Sequence, residues 1–259
     1  ANTNWTRALK RSSFPKSAKH YWKKATANDL TRFVKQIISK YMKRQVLIMK
    51  SEDINTILDI LEQTYPDAGC ALEHIDIFEL LICVVLSAQT TDKSVNKVTP
   101  ALFAEYPDAA ALSQADPDDV AEYIRSIGMY RTKSKNIVNL SKALVANYDG
   151  KVPDDYDSLV SLPGVGRKTA NVVLSVGFGH QRLAVDTHVF RVANRIGFVC
   201  EKDVLKTELA LMEVIPENRW TRTHHSLIFH GRNCCDARKP KCTECPINQY
   251  CKYYKEAGN

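Results

Sequence analysis

The sequence predicts an all-α fold of many short helices. Three observations carry this. No run longer than a few residues alternates polar and apolar side chains with period two, apolar positions recur at helical spacing along most of the chain, and capping residues or Gly/Pro stops bound those runs.

Taken in order, Ile54, Ile57, Leu58, Leu61 and Tyr65 share one helical face from Ser51 onward, and Pro66 stops the run. Phe78 to Leu86 is apolar all round apart from Glu79, as a buried helix is, with no turn signal before Gln89. Asp116-Pro117 places a cap and a first-turn proline at the head of a helix that Gly128 closes. Ile137, Leu140, Leu144, Val145 and Tyr148 trace a further face ended by Asp149-Gly150. Leu159 to Leu162 is a short apolar turn leading into Pro163-Gly164-Val165-Gly166, and Arg167 to Val176 follows as a helix that Gly177 and Gly179 terminate. Asp186 caps a helix from Thr187 to Ile196, and a helix from Val204 to Ile215 ends at Pro216.

A chain of 259 residues, 44% hydrophobic and 25% charged, holds enough apolar material for one or two ordinary cores. The longest apolar run, Leu80 to Ala88, falls far short of the roughly 20 residues of a membrane span, and no secretory signal opens the sequence. A membrane protein is therefore not expected. The location expected is intracellular, cytoplasmic or at the nucleoid if the source is bacterial.

The net charge of +7 is unevenly placed. Residues 1–48 hold 12 lysines and arginines against Asp29 alone, whereas residues 49–259 hold 24 against 28 acids. Two readings of the basic segment stand: a nucleic-acid arm, or a fusion appended ahead of a natural start at Met49-Lys50-Ser51.

Three constellations carry chemistry. The segment Leu162 to Ala170 (LPGVGRKTA) turns tightly at a helix N-terminus and can gather unpaired backbone N–H groups on one side, a surface suited to a phosphate, though a plain helix connection explains a bare PGVG equally well. Glycine at 164 and 166 permits close backbone approach and unusual dihedrals. Lys168 lies in the first helical turn, where the positive end of the helix dipole favours a free amine able to attack an electrophile. By position alone it is equally a solvated surface residue. Asp186, 18 residues on, is within reach of the same cleft and could steady positive charge on a sugar; it also reads as a plain N-cap.

The third constellation is Cys235-x6-Cys242-x2-Cys245-x5-Cys251, four thiols in one loop of 17 residues. Four thiolates suit zinc or a [4Fe-4S] cluster. The single Cys-x2-Cys pair, the irregular gaps and Pro246 after Cys245 favour the cluster, and Cys234 competes for the first ligand position.

Together, Leu86 to Asp92 (LSAQTTD), Leu162 to Leu174 (LPGVGRKTANVVL), Val185 to Val192 (VDTHVFRV) and the cysteine loop make residues 49–256 resemble the endonuclease III family of helix-hairpin-helix DNA glycosylases. The resemblance implies two all-α domains, a helical barrel at 70–180 containing the hairpin and a cluster domain formed by 49–69 with 181–259. It implies a monomer that binds double-stranded DNA bearing oxidised pyrimidines or abasic sites in the intervening cleft, with no membrane partner. Lys168 matches the catalytic lysine and Asp186 the catalytic aspartate of a bifunctional glycosylase and abasic-site lyase, and Cys235, Cys242, Cys245 and Cys251 match the ligands of a [4Fe-4S] cluster. Gln89 matches the residue that enters the gap left by a flipped nucleotide.

Met129 stands where the family often has a leucine wedge, a departure that keeps an apolar, flexible side chain. Leu162, Gly164, Gly166, His188, Arg238, Lys239 and Lys241 complete the expected DNA contacts. By local reading, Gln89 also serves as a helix cap, Met129 as core filler and His188 as a structural histidine. His224, His225 and His230 read as packing. Two alternatives remain at this point: a mismatch-specific monofunctional glycosylase, which Lys168 and the eight residues after Cys251 argue against, and a non-enzymatic iron–sulfur DNA-binding module.

Overall fold

The computed structural model describes residues 49–258, so the basic segment 1–48, with both its readings, lies outside the described residues. Among the described residues there are twelve α-helices, two 3-10 turns and no strand, so the all-α expectation holds.

Helix α1 (Ser51–Thr64) buries Ile54, Ile57, Leu58 and Leu61, the face read from the sequence. Helix α2 (Ile77–Leu86) is buried along nearly its whole length. It contains one acid, Glu79, whose carboxylate accepts the Ile75 N–H at 2.8 Å, a bond that offsets part of the cost of its burial, while its own N–H donates to the Asp76 cap at 2.8 Å. Helices α3 (Asp92–Glu105) and α4 (Ala109–Gln114) follow, and the sequence reading missed both. Pro100 interrupts the backbone ladder of α3, and burial of Val95, Val98 and Leu102 offsets that loss.

Helix α5 (Pro117–Tyr123) starts at the Asp116 cap as expected but stops short of Gly128, the last residues before the glycine forming turns. Helix α6 (Tyr130–Tyr148) is a turn or more longer than its apolar face suggested, and Asp149 ends it in the left-handed conformation. Helices α7 (Tyr156–Ser161) and α8 (Arg167–Val176) flank the glycine hairpin and pack on each other. Helices α9 (Thr187–Ile196) and α10 (Val204–Val214) begin at the caps Asp186 and Asp203. The remaining two are α11 (Trp220–Asn233) and the short α12 (Lys252–Glu256).

Buried apolar side chains form two clusters. The first gathers α2 to α8, from Leu72 to Ala184, and the second gathers α1 with residues from Leu183 to Ile247. The chain passes between clusters at Leu183-Ala184-Val185, immediately before Asp186, so a residue there is held by the packing of both.

Candidate active site and metal centre

Gly164 takes φ +78°, a conformation L side chains rarely adopt, and a Cβ there would meet the Asn136 side chain at 3.1 Å. The turn therefore requires glycine at 164. Gly166 differs from expectation: its φ is −100° and an added Cβ would find nothing within 4 Å, so neither dihedral nor protein packing demands glycine. What its small size provides is open space at the head of α8, whose N-terminus has no side-chain cap. Leu162 is buried in the first cluster, and its carbonyl accepts the Val165 N–H at 3.1 Å to close the turn.

Helix α8 is tied down from the far side. Arg167 Nε donates to both carboxylate oxygens of Glu208 at 3.0 Å, its Nη2 donates to Oε1 at 2.5 Å, and the Asn171 amide adds a fourth bond at 3.2 Å, joining the hairpin helix to α10. The next residue, Lys168, is exposed, and its side chain enters a cleft of about 1210 Å³ that Asp186, His188 and Gln89 also line. The structure thus brings together four residues spread over 100 positions of sequence.

Asp186 is the N-cap of α9: its Oδ1 accepts the Val189 N–H at 2.8 Å, which orients the carboxylate and leaves its other oxygen for the cleft. The cap reading holds, and the same residue lines the cleft. His188 contacts Arg191 Nη2 through Nδ1 at 3.2 Å, and burial, with Arg191 and Arg232 nearby, moves its pKa below the ordinary histidine value despite the opposing Asp186 charge.

Gln89 is exposed and lies three residues past the end of α2, so it does not cap that helix. It takes φ 54°, and Met129 takes φ 57° with half its surface exposed, which sets aside the core-filler reading.

Sequence reasoning missed several cleft residues. Arg232 and Asp92 pair at 2.9 Å along its wall. His224 is fully buried beside a smaller cavity shared with Lys168 and Asp186, and its Nδ1 has no partner among the described residues. Burial, with His225 and Lys168 nearby, lowers its pKa to about 3. Apolar periodicity gave no sign of α11 because the face it buries is largely polar: Thr223, His224, His225, Ser226 and His230.

The cysteine loop folds around one pocket lined by Cys234, Cys235, Cys242, Cys245 and Cys251. Cys234, Cys245 and His230 bring their ligand atoms within 4.8 Å of one another, so the fifth cysteine and one histidine enter the pocket with the four expected thiols. Arg195 Nη1 sits 3.5 Å from Cys235 Sγ and binds the Asp236 carbonyl at 2.6 Å, while Cys251 Sγ donates to the Arg195 carbonyl at 3.4 Å. Burial pushes the Cys245 thiol up to about 12 and raises Cys251 and Cys234 as well. Thiols packed this tightly become ligands when positive metal charge offsets their desolvation and mutual repulsion, and a soft, multi-iron group fits a pocket that presents several sulfurs. Arg238, Lys239 and Lys241 are exposed on this loop and form no ion pair among the described residues.

Comparison with known proteins agrees with this geometry. Residues 82–217 match the HhH-GPD superfamily of base excision DNA repair proteins, and residues 235–251 match the iron–sulfur binding domain of endonuclease III, a stretch that opens at Cys235 and closes at Cys251. Endonuclease III of Rickettsia conorii is 46% identical over 206 residues, spanning 80% of this chain and 98% of that protein; endonuclease III of Bacillus subtilis is 47% identical over 206 residues, spanning 79% and 94%. Among solved structures, a trapped endonuclease III–DNA covalent intermediate superposes with a TM-score of 0.78 at 46% identity, covering 82% of this chain and all of that one. A thermostable thymine-DNA glycosylase, at 23% identity and a TM-score of 0.71, shares the fold. The chain belongs to the endonuclease III family of HhH-GPD base excision DNA repair proteins, and is by that membership a DNA glycosylase and abasic-site lyase with a [4Fe-4S] cluster.

Proposed function

We propose that the chain removes oxidised pyrimidines from double-stranded DNA and cleaves the resulting abasic site through an imine on Lys168. The observation carrying this reading is the shared cleft: an exposed amine and an oriented carboxylate, Lys168 and Asp186, line one opening with Gln89 and His188.

In this mechanism an extruded nucleotide enters the cleft, and lesions that stack or pair poorly are extracted most readily. The Lys168 amine attacks sugar C1′, the C1′–N bond breaks and the damaged base leaves with the electron pair, taking up a proton. Asp186 stabilises the positive charge that develops on the sugar. Ring opening gives the imine, which acidifies the C2′ hydrogens. Loss of one of them expels the 3′ phosphate by β-elimination.

Gln89 and Met129 probe the duplex as the nucleotide leaves. The backbone of Leu162, Gly164 and Gly166 receives one phosphate, and His188, Arg238, Lys239 and Lys241 receive others. Cys235, Cys242, Cys245 and Cys251 hold the cluster, which on binding supplies a rigid cross-link that keeps the basic loop in shape. Residues 70–180 form one domain and 49–69 with 181–259 the other, in keeping with the two buried clusters. The protein acts inside the cell as a monomer, on DNA carrying oxidised pyrimidines or abasic sites.

Borohydride trapping tests the reading. A duplex containing an oxidised pyrimidine should give a covalent adduct with the intact protein and none with Lys168→Gln. An undiminished adduct with Lys168→Gln would remove Lys168 from its role.

A further inference from the structure

Lys133 is 3% exposed, sits in the first turn of α6 and makes no ion pair among the described residues. A buried ammonium without a carboxylate, at the positive end of a helix, is costly and calls for an explanation. Its Nζ donates to Thr90 Oγ1 at 2.7 Å, and the Thr90 hydroxyl donates onward to the Ala88 carbonyl at 3.4 Å. Ala88 and Thr90 are the two neighbours of Gln89. The chain of bonds therefore brackets the left-handed Gln89, whose conformation persists only if its surroundings over-determine it. The backbone N–H of the same lysine donates to the carbonyl of Met129 at 3.0 Å, and Met129, like Gln89, is exposed and left-handed.

We propose that Lys133 is a positioning residue for nucleotide extrusion: from beneath the cleft wall it holds Gln89 through Thr90 and joins it rigidly to Met129, so that the two side chains meet the duplex in fixed register. The inference rests on the reading of Gln89 and Met129 as the groups that probe DNA. It explains why a cation is buried without an acid. A lysine is long enough to reach Thr90 from α6, and its charge strengthens the hydrogen bond that the strained residue needs.

The test uses cluster-loaded protein in three variants: Lys133→Met, which keeps the length and removes the charge; Thr90→Val, which keeps the shape and removes the hydroxyl; and Thr90→Ser, which restores it. Thr90 is only half-buried, so the threonine variants keep the proposal testable if Lys133→Met does not fold. Single-turnover excision of an oxidised pyrimidine should slow roughly 10 to 100-fold in Lys133→Met and Thr90→Val, and Thr90→Ser should stay near wild type. Cleavage of a preformed abasic site, which has no base to extract, should slow far less. The rise in fluorescence of 2-aminopurine placed opposite the lesion should be delayed in step with excision, and the Lys133→Met/Thr90→Val double variant should be no slower than the singles.

Equal slowing on both substrates, additive losses in the double variant, or wild-type excision by Thr90→Val would each overturn the proposal. Borohydride trapping of the wild-type protein on the abasic duplex runs alongside. Its failure would strike the parent reading of Lys168, whereas trapping together with unaffected variants would strike only the role of Lys133.

Discussion

Arg191 Nη2 and Nε both donate to the carbonyl of Cys235, at 3.1 and 3.2 Å, and Nη2 also reaches the Gly231 carbonyl at 2.9 Å. One guanidinium thus couples α9, which Asp186 heads, to the first cysteine of the metal loop. Arg191→Met keeps the apolar stem and strands two carbonyls, and should lower stability by about 2 kcal/mol. Chemical denaturation followed by circular dichroism, beside the visible absorption of the cluster, checks this; an unchanged midpoint would show that the link carries no stability.

Asp186 combines a cap and a charge, and two variants separate them. Asparagine caps as well as aspartate, so Asp186→Asn should stay within about 0.5 kcal/mol of wild type, whereas Asp186→Ala should lose about 1 kcal/mol with the Val189 hydrogen bond. Both remove the negative charge and should slow excision by about 100-fold or more under single-turnover conditions. Wild-type turnover in Asp186→Asn would leave the residue a cap alone.

The cysteine pocket predicts about four iron atoms per chain and a yellow-brown protein. Cys245→Ser should lose the cluster and with it the order of the loop, since metal binding and local folding are linked. Zinc without iron in protein purified anaerobically would contradict the assignment.

His224 makes stability depend on pH. Buried and neutral, it has a pKa of about 3 in the folded chain against about 6.5 when exposed, so below pH 6.5 the unfolded state takes up a proton that the folded state refuses. Stability is therefore lost as pH falls from 6.5 toward 3, by about 2 kcal/mol at pH 5 from this residue. His224→Gln should flatten that part of the curve by about one proton, measured by urea titration at pH 7 and pH 5 where the cluster absorption is constant. An equally steep fall in the variant would assign the titration to another group.

The basic segment has a test of its own. A chain starting at Met49 should retain imine chemistry. If residues 1–48 neutralise phosphates, each lost contact should flatten the plot of log affinity against log salt by about 0.9 on duplex DNA, equally for damaged and undamaged sequences. Unchanged slopes would support an appended passenger, and loss of lesion discrimination alone would contradict both readings.

The sequence by itself determined whatever depends on neighbouring residues. Helices α8 and α9 have the bounds that Gly166, Asp186 and their apolar faces dictate, the hairpin turns where Gly164 allows it, and the four spaced cysteines lie in one loop. Caps, left-handed turns and side-chain periodicity are local physics, readable from a few consecutive positions. Only the tertiary structure decided that Lys168 and Asp186 share a cleft with Gln89, that Cys234 and His230 enter the sulfur pocket, and that Gly166 stands in open space. It also turned the polar face of α11 inward and buried Lys133 against Thr90. A buried polar group is tolerated only where a distant segment supplies its partner, and that pairing is settled when separate helices pack, 43 residues apart for Lys133 and Thr90 and 41 for Arg167 and Glu208.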